Sequence, residues 1–185
     1  MTDYKISLSG DLGSGKSTVG EILTNKYNLE KVSIGDILRK MASEYHMDVI
    51  EFNKYMEKHP EFDELVDNKL KEYESVKGNF LFDSRMAWHF VPSSFKVYMK
   101  AEVETSAKRI LKADRTTENY KSLDEAVEQI KKRRASEKVR YQNLYGVDIM
   151  DMANYDLVIK TDDKTPKELA QIICEEFEKF LTKGV

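Results

Sequence analysis

The run Gly10-Asp11-Leu12-Gly13-Ser14-Gly15-Lys16-Ser17 constrains this chain more than any other stretch. It fills the pattern G-x-x-x-x-G-K-[ST] and lies between an apolar segment that reads as a strand, Tyr4 to Ser9, and a segment of helical periodicity, Lys16 to Tyr27. Three glycines let the backbone fold back so that successive N–H groups point inward at phosphate oxygens. The first amides of the helix add donors and a dipole that favours anions. Lys16 is placed to bridge the β- and γ-phosphates of ATP, and Ser17 to give one oxygen to Mg²⁺. The predicted ATP-binding set is therefore Gly10, Asp11, Leu12, Gly13, Ser14, Gly15, Lys16, Ser17 and Thr18.

A strand, a phosphate-binding loop (P-loop) and a helix in that order imply an α/β chain, and the rest of the sequence agrees. Phe80 to Asp83, Phe95 to Lys100 and Asp156 to Lys160 are short apolar runs of the kind that parallel strands bury on both faces. Glu30 to Ser33 is a weaker fifth. Val19, Ile22, Leu23 and Tyr27 share one face of the first helix, and Leu169, Ile172, Ile173, Phe177, Phe180 and Leu181 share one face of the last. Thr165, Pro166 and Glu168 mark the start of that last helix, and Ser122 with Glu125 repeats the capping-box pattern earlier. Two regions break the alternation of strand and helix. Residues 34–74 read as two or three helices without a strand, and residues 115–146 as a charged helical stretch ending at Gly146. With 185 residues and no Pro/Gly/Ser-rich linker, the expectation is one domain spanning 1–185 with two helical excursions.

A P-loop alone does not separate a kinase from a GTPase or a motor. No guanine-reading Asn-Lys-x-Asp segment follows, and the chain is short, which favours a small kinase. Transfer of a phosphoryl group between two anions needs fixed positive charge, and arginine grips phosphate oxygens in pairs. Arg39 lies one turn into a helix after the second strand, within Ser33-Ile34-Gly35-Asp36-Ile37-Leu38-Arg39. Arg85 follows the strand that ends at Asp83, at the sheet edge where open α/β folds bind ligands. Arg133 and Arg140 are seven apart, so a helix would present them on one face.

These segments resemble the adenylate kinase superfamily, and more closely the cytidylate kinases of the archaeal-type branch. The resemblance rests on Ser33 to Arg39, Ser84-Arg85, Ala107-Lys108-Arg109-Ile110, Arg133 to Tyr141, Tyr145 to Ile149 and Tyr155 to Ile159. It implies a five-stranded parallel sheet of order 2-3-1-4-5 in a P-loop NTPase fold, flanked by helices, with a monophosphate-binding excursion and a mobile lid. It also implies roles. Arg39 and Arg85 would hold the acceptor phosphate beside Ser33 and Gly35, Arg133 and Arg140 would close on the transferring phosphoryl, Asp83 would orient Mg²⁺ through water, and Arg115 would stack on the ATP adenine. Lys16, Arg85, Arg133 and Arg140 are the expected catalytic set.

The chain departs from the family around the acceptor. Ser84 stands where a Gly is common, Met86 where bacterial-type members carry an acid that reads the cytosine amino group, and Trp88 where archaeal-type members have a small residue. Asp63 and Asp67 are candidates to read the base instead, and Trp88 either stacks on it or fills the pocket wall. The expected reaction is ATP-dependent phosphorylation of CMP or dCMP, with UMP as a further acceptor. Two alternatives stay open: a P-loop kinase for another small molecule, such as shikimate or a different monophosphate, and a nucleotide-binding regulator without turnover.

Composition sets the remaining expectations. Thirty basic against 33 acidic side chains give a net charge of −3, which offers no field for nucleic acid or an anionic membrane. One cysteine, Cys174, suits a reducing compartment, and neither an apolar run of membrane-spanning length nor a signal-like start is present, so a cytoplasmic monomer is expected. His46, His59 and His89 lack metal-ligand spacing, and Tyr120, Tyr141 and Tyr145 read as lid packing.

Overall fold

The computed structural model describes residues 3–112 and 120–183. The four apolar runs and the weaker fifth are all strands: β1 Lys5–Gly10, β2 Glu30–Ser33, β3 Phe80–Asp83, β4 Phe95–Lys100 and β5 Leu157–Lys160. They form one parallel sheet in the order β2-β3-β1-β4-β5, as the resemblance implied. Parallel strands all end at the same edge. The turns after β1 and β3, which carry the P-loop and Arg85, therefore meet above neighbouring strands, with Leu8 level with Asp83.

Alternation of side chains divides the core between the two faces. Leu81 of β3 and Phe95, Val97 and Met99 of β4 pack with Ile6 and Leu8 under α1 (Lys16–Tyr27) and α8 (Pro166–Lys183). Val19, Leu23, Ile173 and Phe177, predicted from helical spacing to face inward, close that layer. Phe80 and Phe82 of β3 and Tyr98 of β4 point the other way, into a cluster with Leu70, Trp88, Phe90, Tyr141 and Tyr155. Each fully buried apolar side chain stabilises such a core by about 1.5–3 kcal/mol, so both faces contribute.

The helical excursion between β2 and β3 is α2 Ile34–Glu44, α3 Val49–Met56 and α4 Glu61–Ser75. Its own small core is Ala42, Phe52 and Met56. Local chemistry sets the breaks. Ser33 caps α2 by accepting from the Asp36 amide at 3.2 Å, His46 adopts φ 56° after α2 ends, and Asp48 and Glu51 form a full capping box at α3. A short α5 (Ala87–Phe90) follows β3, and α6 (Val103–Lys112) follows β4. Next comes α7, a single helix from Leu123 to Tyr145, ended by Gly146 at φ 69°. The box predicted at its start is half formed: Ser122 Oγ accepts from the Glu125 amide, but the Glu125 carboxylate takes the Lys121 amide rather than that of Ser122. The box at α8 is complete, since Glu168 accepts from the Thr165 amide at 2.7 Å and donates its own to Thr165 Oγ1. Among the described residues, no helix is long and apolar enough to cross a membrane.

Candidate functional site

The loop after β1 has the backbone its glycines were expected to allow. Gly10 sits at φ 140° with its Cα so close to β4 that a Cβ would fall 2.2 Å from the Met99 carbonyl oxygen. Gly15, at φ 91°, faces open space in which a Cβ would meet nothing within 4 Å. Lys16 Nζ curls back to donate to the carbonyls of Gly10 (2.9 Å) and Asp11 (2.8 Å). Burial, aided by the nearby Arg85 cation, lowers its pKa to about 8. An ammonium so poorly solvated gains strongly from a polyanion.

A cleft of about 170 Å³ opens from this loop toward α2, α4 and α7. Leu12 to Thr18 line one end, and Ser33, Gly35, Arg39, Asp63, Asp67, Asp83, Arg85, Arg133 and Arg140 line the rest. The fold thus brings one cleft together from most of the predicted residues. Gly10 and Asp11 border a smaller adjoining cavity. Trp88 is the exception. It is 7% exposed, packs against Tyr155 at 5.6 Å between ring centroids, and does not line the cleft, so neither base stacking nor a place in the pocket wall describes it. The short helix α5 turns it into the core beside β4, a direction that a four-residue helix does not reveal from sequence. Arg115 lies outside the described residues.

The arginines are held, not loose. Arg85 donates through Nη1 to the Gly10 carbonyl at 2.5 Å, and its Nε is 2.5 Å from Glu137 Oε2. Arg133 meets the same carboxylate, Nε to Oε1 at 3.0 Å. Burial alone would push the Glu137 carboxyl up, but the Arg85 and Arg133 guanidiniums overcome it and hold it at about 2. Glu137 was not anticipated. The spacing Arg133, Glu137, Arg140 places it between two arginines on one helical face, and that is the signal that could have found it. Arg39 is about half exposed and pairs with Asp36 across one helical turn.

The far end of the cleft is acidic. Asp63 Oδ2 and Arg140 Nε stand 3.7 Å apart, both buried and neither hydrogen-bonded. Burial raises the pKa of Asp63, with Arg140 opposing. Burial also raises Asp67, to about 6, although it accepts a hydrogen bond from Tyr145 Oη. Met86 is buried and lines the cleft, so no carboxylate follows the arginine there.

A second hollow, about 250 Å³, shares Gly13, Ser14, Gly15 and Thr18 with the cleft and is bordered by Arg109, Lys164 and Pro166. Arg109 is fixed by Thr161, donating to its Oγ1 at 3.0 Å and its carbonyl at 2.6 Å. The two hollows meet at the loop. Mg²⁺ takes few protein oxygens and completes its shell with phosphate and water. Ser17 and Asp83 both reach the cleft and fit that demand.

Residues 5–163 match the model of the cytidylate kinase-like family. A cytidylate kinase of Methanosarcina barkeri is 34% identical over 172 residues, covering 91% of this chain and 93% of that protein. An S-adenosylmethionine-dependent nucleotide dehydratase of Lacinutrix mariniflava is 38% identical over 176 residues. The match covers 95% of this chain but 36% of that longer protein. Among solved structures, shikimate kinase from Bacteroides thetaiotaomicron superposes with a TM-score of 0.66 at 18% identity, covering 96% of this chain and 99% of that one, a likeness of fold.

Proposed function

The chain belongs to the cytidylate kinase-like family, and from that membership and the geometry of its cleft we propose that it transfers the γ-phosphate of ATP to a nucleoside monophosphate, CMP or dCMP before UMP. One observation carries the reading: a P-loop and four arginines (Arg39, Arg85, Arg133 and Arg140) border a single cleft. An oxygen of the acceptor phosphate bonds to the γ-phosphorus while the bond to the β–γ bridging oxygen breaks, giving a nucleoside diphosphate and ADP. Lys16 neutralises the β- and γ-oxygens, and Arg85 and Arg133, aimed by Glu137, stabilise charge on the phosphoryl in flight. Arg39, at the cleft mouth, holds the acceptor phosphate. The hollow beside Arg109 and Lys164 takes the ATP nucleoside. Ser17 and Asp83 would hold Mg²⁺, which would supply further charge neutralisation.

Asp63 Oδ2 and Arg140 Nε, both buried without a hydrogen-bond partner although Arg140 Nη2 donates to Tyr141 Oη, support cytosine as the base. Its amino group can donate to the carboxylate, and its ring nitrogen can accept from the guanidinium. Uracil would set a carbonyl against the carboxylate, and a buried polar group left unpaired costs about 1–3 kcal/mol, roughly tenfold to a hundredfold. A panel of CMP, dCMP, UMP, AMP, dTMP and shikimate, assayed with ATP, tests this. CMP and dCMP should give the highest kcat/KM, and Asp63→Asn should bring CMP and UMP within about threefold of each other. A preference for AMP would refute the cytosine reading, and turnover of shikimate alone would refute the monophosphate reading.

A further inference from the structure

The second residue of the P-loop pattern is unconstrained by phosphate binding, and here it is an acid. A carboxylate inside a cradle for polyanions opposes binding unless it is neutralised and turned away. Asp11 is both. It is 4% exposed, and each oxygen is committed away from the phosphates. Oδ2 accepts from the Ala101 amide at 2.8 Å, just past the end of β4. Oδ1 accepts from Tyr98 Oη at 2.9 Å and from the Arg134 guanidinium of α7. One side of Asp11 is thus tied to the rigid sheet and the other to a helix 123 residues along the chain.

Its neighbour makes a matching contact by different chemistry. Leu12 packs against the cluster of Ala107, Ile110, Ala126 and Ile130, where α7 lies on α6. Ile130 and Arg134 are four apart, one turn along the same face of α7. Two successive loop side chains therefore seat two successive turns of the helix, one by apolar packing and one by an ion pair. The seat is close-packed, for the cavity beside Asp11, Leu12, Ile130 and Arg134 is about 20 Å³, room for one water. Arg133 and Glu137, which flank Arg134 in the sequence, face the cleft.

We propose that Asp11 and Arg134 are positioning residues: their ion pair fixes α7 on the P-loop and so sets where Arg133 and Glu137 stand relative to the transferring phosphoryl. Neither side chain touches the phosphates. Arg134 acts through Arg133, and Asp11 acts through Arg134. The kinetic part of the test rests on the kinase reading above, and the exchange part does not.

The experiment compares wild type, Arg134→Gln, Arg134→Lys, Asp11→Asn and the Asp11→Asn/Arg134→Gln double variant, with ATP and the best monophosphate acceptor. Misplacing a catalytic group by about 1 Å costs up to about a hundredfold, so Arg134→Gln should lower kcat by at least about tenfold while KM for ATP stays within about threefold. Arg134→Lys should recover part of that loss. The double variant should be no slower than the worse single, because both changes break one pair. In nucleotide-free protein, amide hydrogen exchange across 126–141 should rise in Arg134→Gln and not in Arg134→Lys. Kinetics within twofold of wild type, additive losses in the double variant, or unchanged exchange would each overturn the proposal. If Asp11→Asn does not fold, the two Arg134 variants decide it. A wild type that phosphorylates no monophosphate would remove the kinase reading, and the exchange measurement would still judge the pair.

Discussion

On the proposed reading, the two ends of the cleft would hold phosphate by opposite means. At the P-loop the donors are backbone amides of consecutive residues, shaped by glycine torsions and by a Gly10 that no larger residue could replace beside Met99. At the acceptor end the charged groups are side chains from α2, the turn after β3, and α7, each with an acid as counterion: Asp36 on Arg39, Glu137 on Arg85 and Arg133, Asp63 near Arg140. An amide needs no counterion. A cluster of guanidiniums does, because like charges brought together out of water repel and are costly to desolvate. The acids at the acceptor end are thus part of how the arginines are positioned, and removing one should disturb binding and stability together.

Lys16→Ala should give the largest effect, since it removes the loop's own cation. Electrostatic groups of this kind are worth about 10²–10³-fold in kcat, and the variant should remain folded, since the charge it removes is one that burial disfavours in the empty protein. Turnover within a few-fold of wild type would break the contrast between the two ends.

Glu137→Gln probes the acceptor end. It leaves Arg85 and Arg133 adjacent and buried without their shared counterion, a change that costs about 3–5 kcal/mol when a buried pair is broken. Thermal unfolding should fall accordingly, and ATP should restore more of the loss in the variant than it adds to wild type, because its phosphates replace the missing charge. Equal stabilisation of both proteins by ATP would show that Glu137 does not stand in for ligand charge.

A pH titration distinguishes the ends without mutation. Lys16 has a folded pKa of about 8, below its usual value of 10.5, so above pH 8 the empty protein holds it neutral. Phosphates stabilise the charged form, so binding ATP takes up a proton there. ATP affinity should fall by about tenfold per pH unit above 8 and stay flat below it, down to the range where the phosphates themselves titrate. Calorimetry in buffers of different ionisation enthalpy reads the proton directly, and Lys16→Ala should abolish the uptake. The same group makes the empty fold gain stability as pH rises from 8 to 10.5, because the unfolded chain binds more protons in that window.

Arg39→Ala should be the mildest. The side chain is half exposed and already paired with Asp36, so solvent weakens its hold. KM for the monophosphate should rise by about three- to tenfold, with ATP binding unchanged in calorimetric titration. An equal loss for ATP would place Arg39 on the donor side.

What was legible in the sequence follows the same division. The strand runs were clear because a sheet covered on both faces needs continuous apolar segments, and the only differences at strand ends were single residues, as at β1 and β5. The four arginines that line the cleft were singled out by their places at strand ends and on one helical face. Glu137 and Arg134 were passed over because a charged helix of 23 residues offers many such side chains, and spacing alone does not say which are buried.

The P-loop was determined by sequence alone because its geometry is local. Glycine torsions, a strand before and a helix after specify the positions of the amides, whatever surrounds them. The partners of each charge were decided only in three dimensions. Asp11 reads as one more loop residue until β4 and α7 close around it, and Trp88 reads as a cleft residue until α5 turns it against Tyr155. Burial and pairing are relations between distant segments. The energy of a charge depends on its neighbours through space, and those the fold supplies.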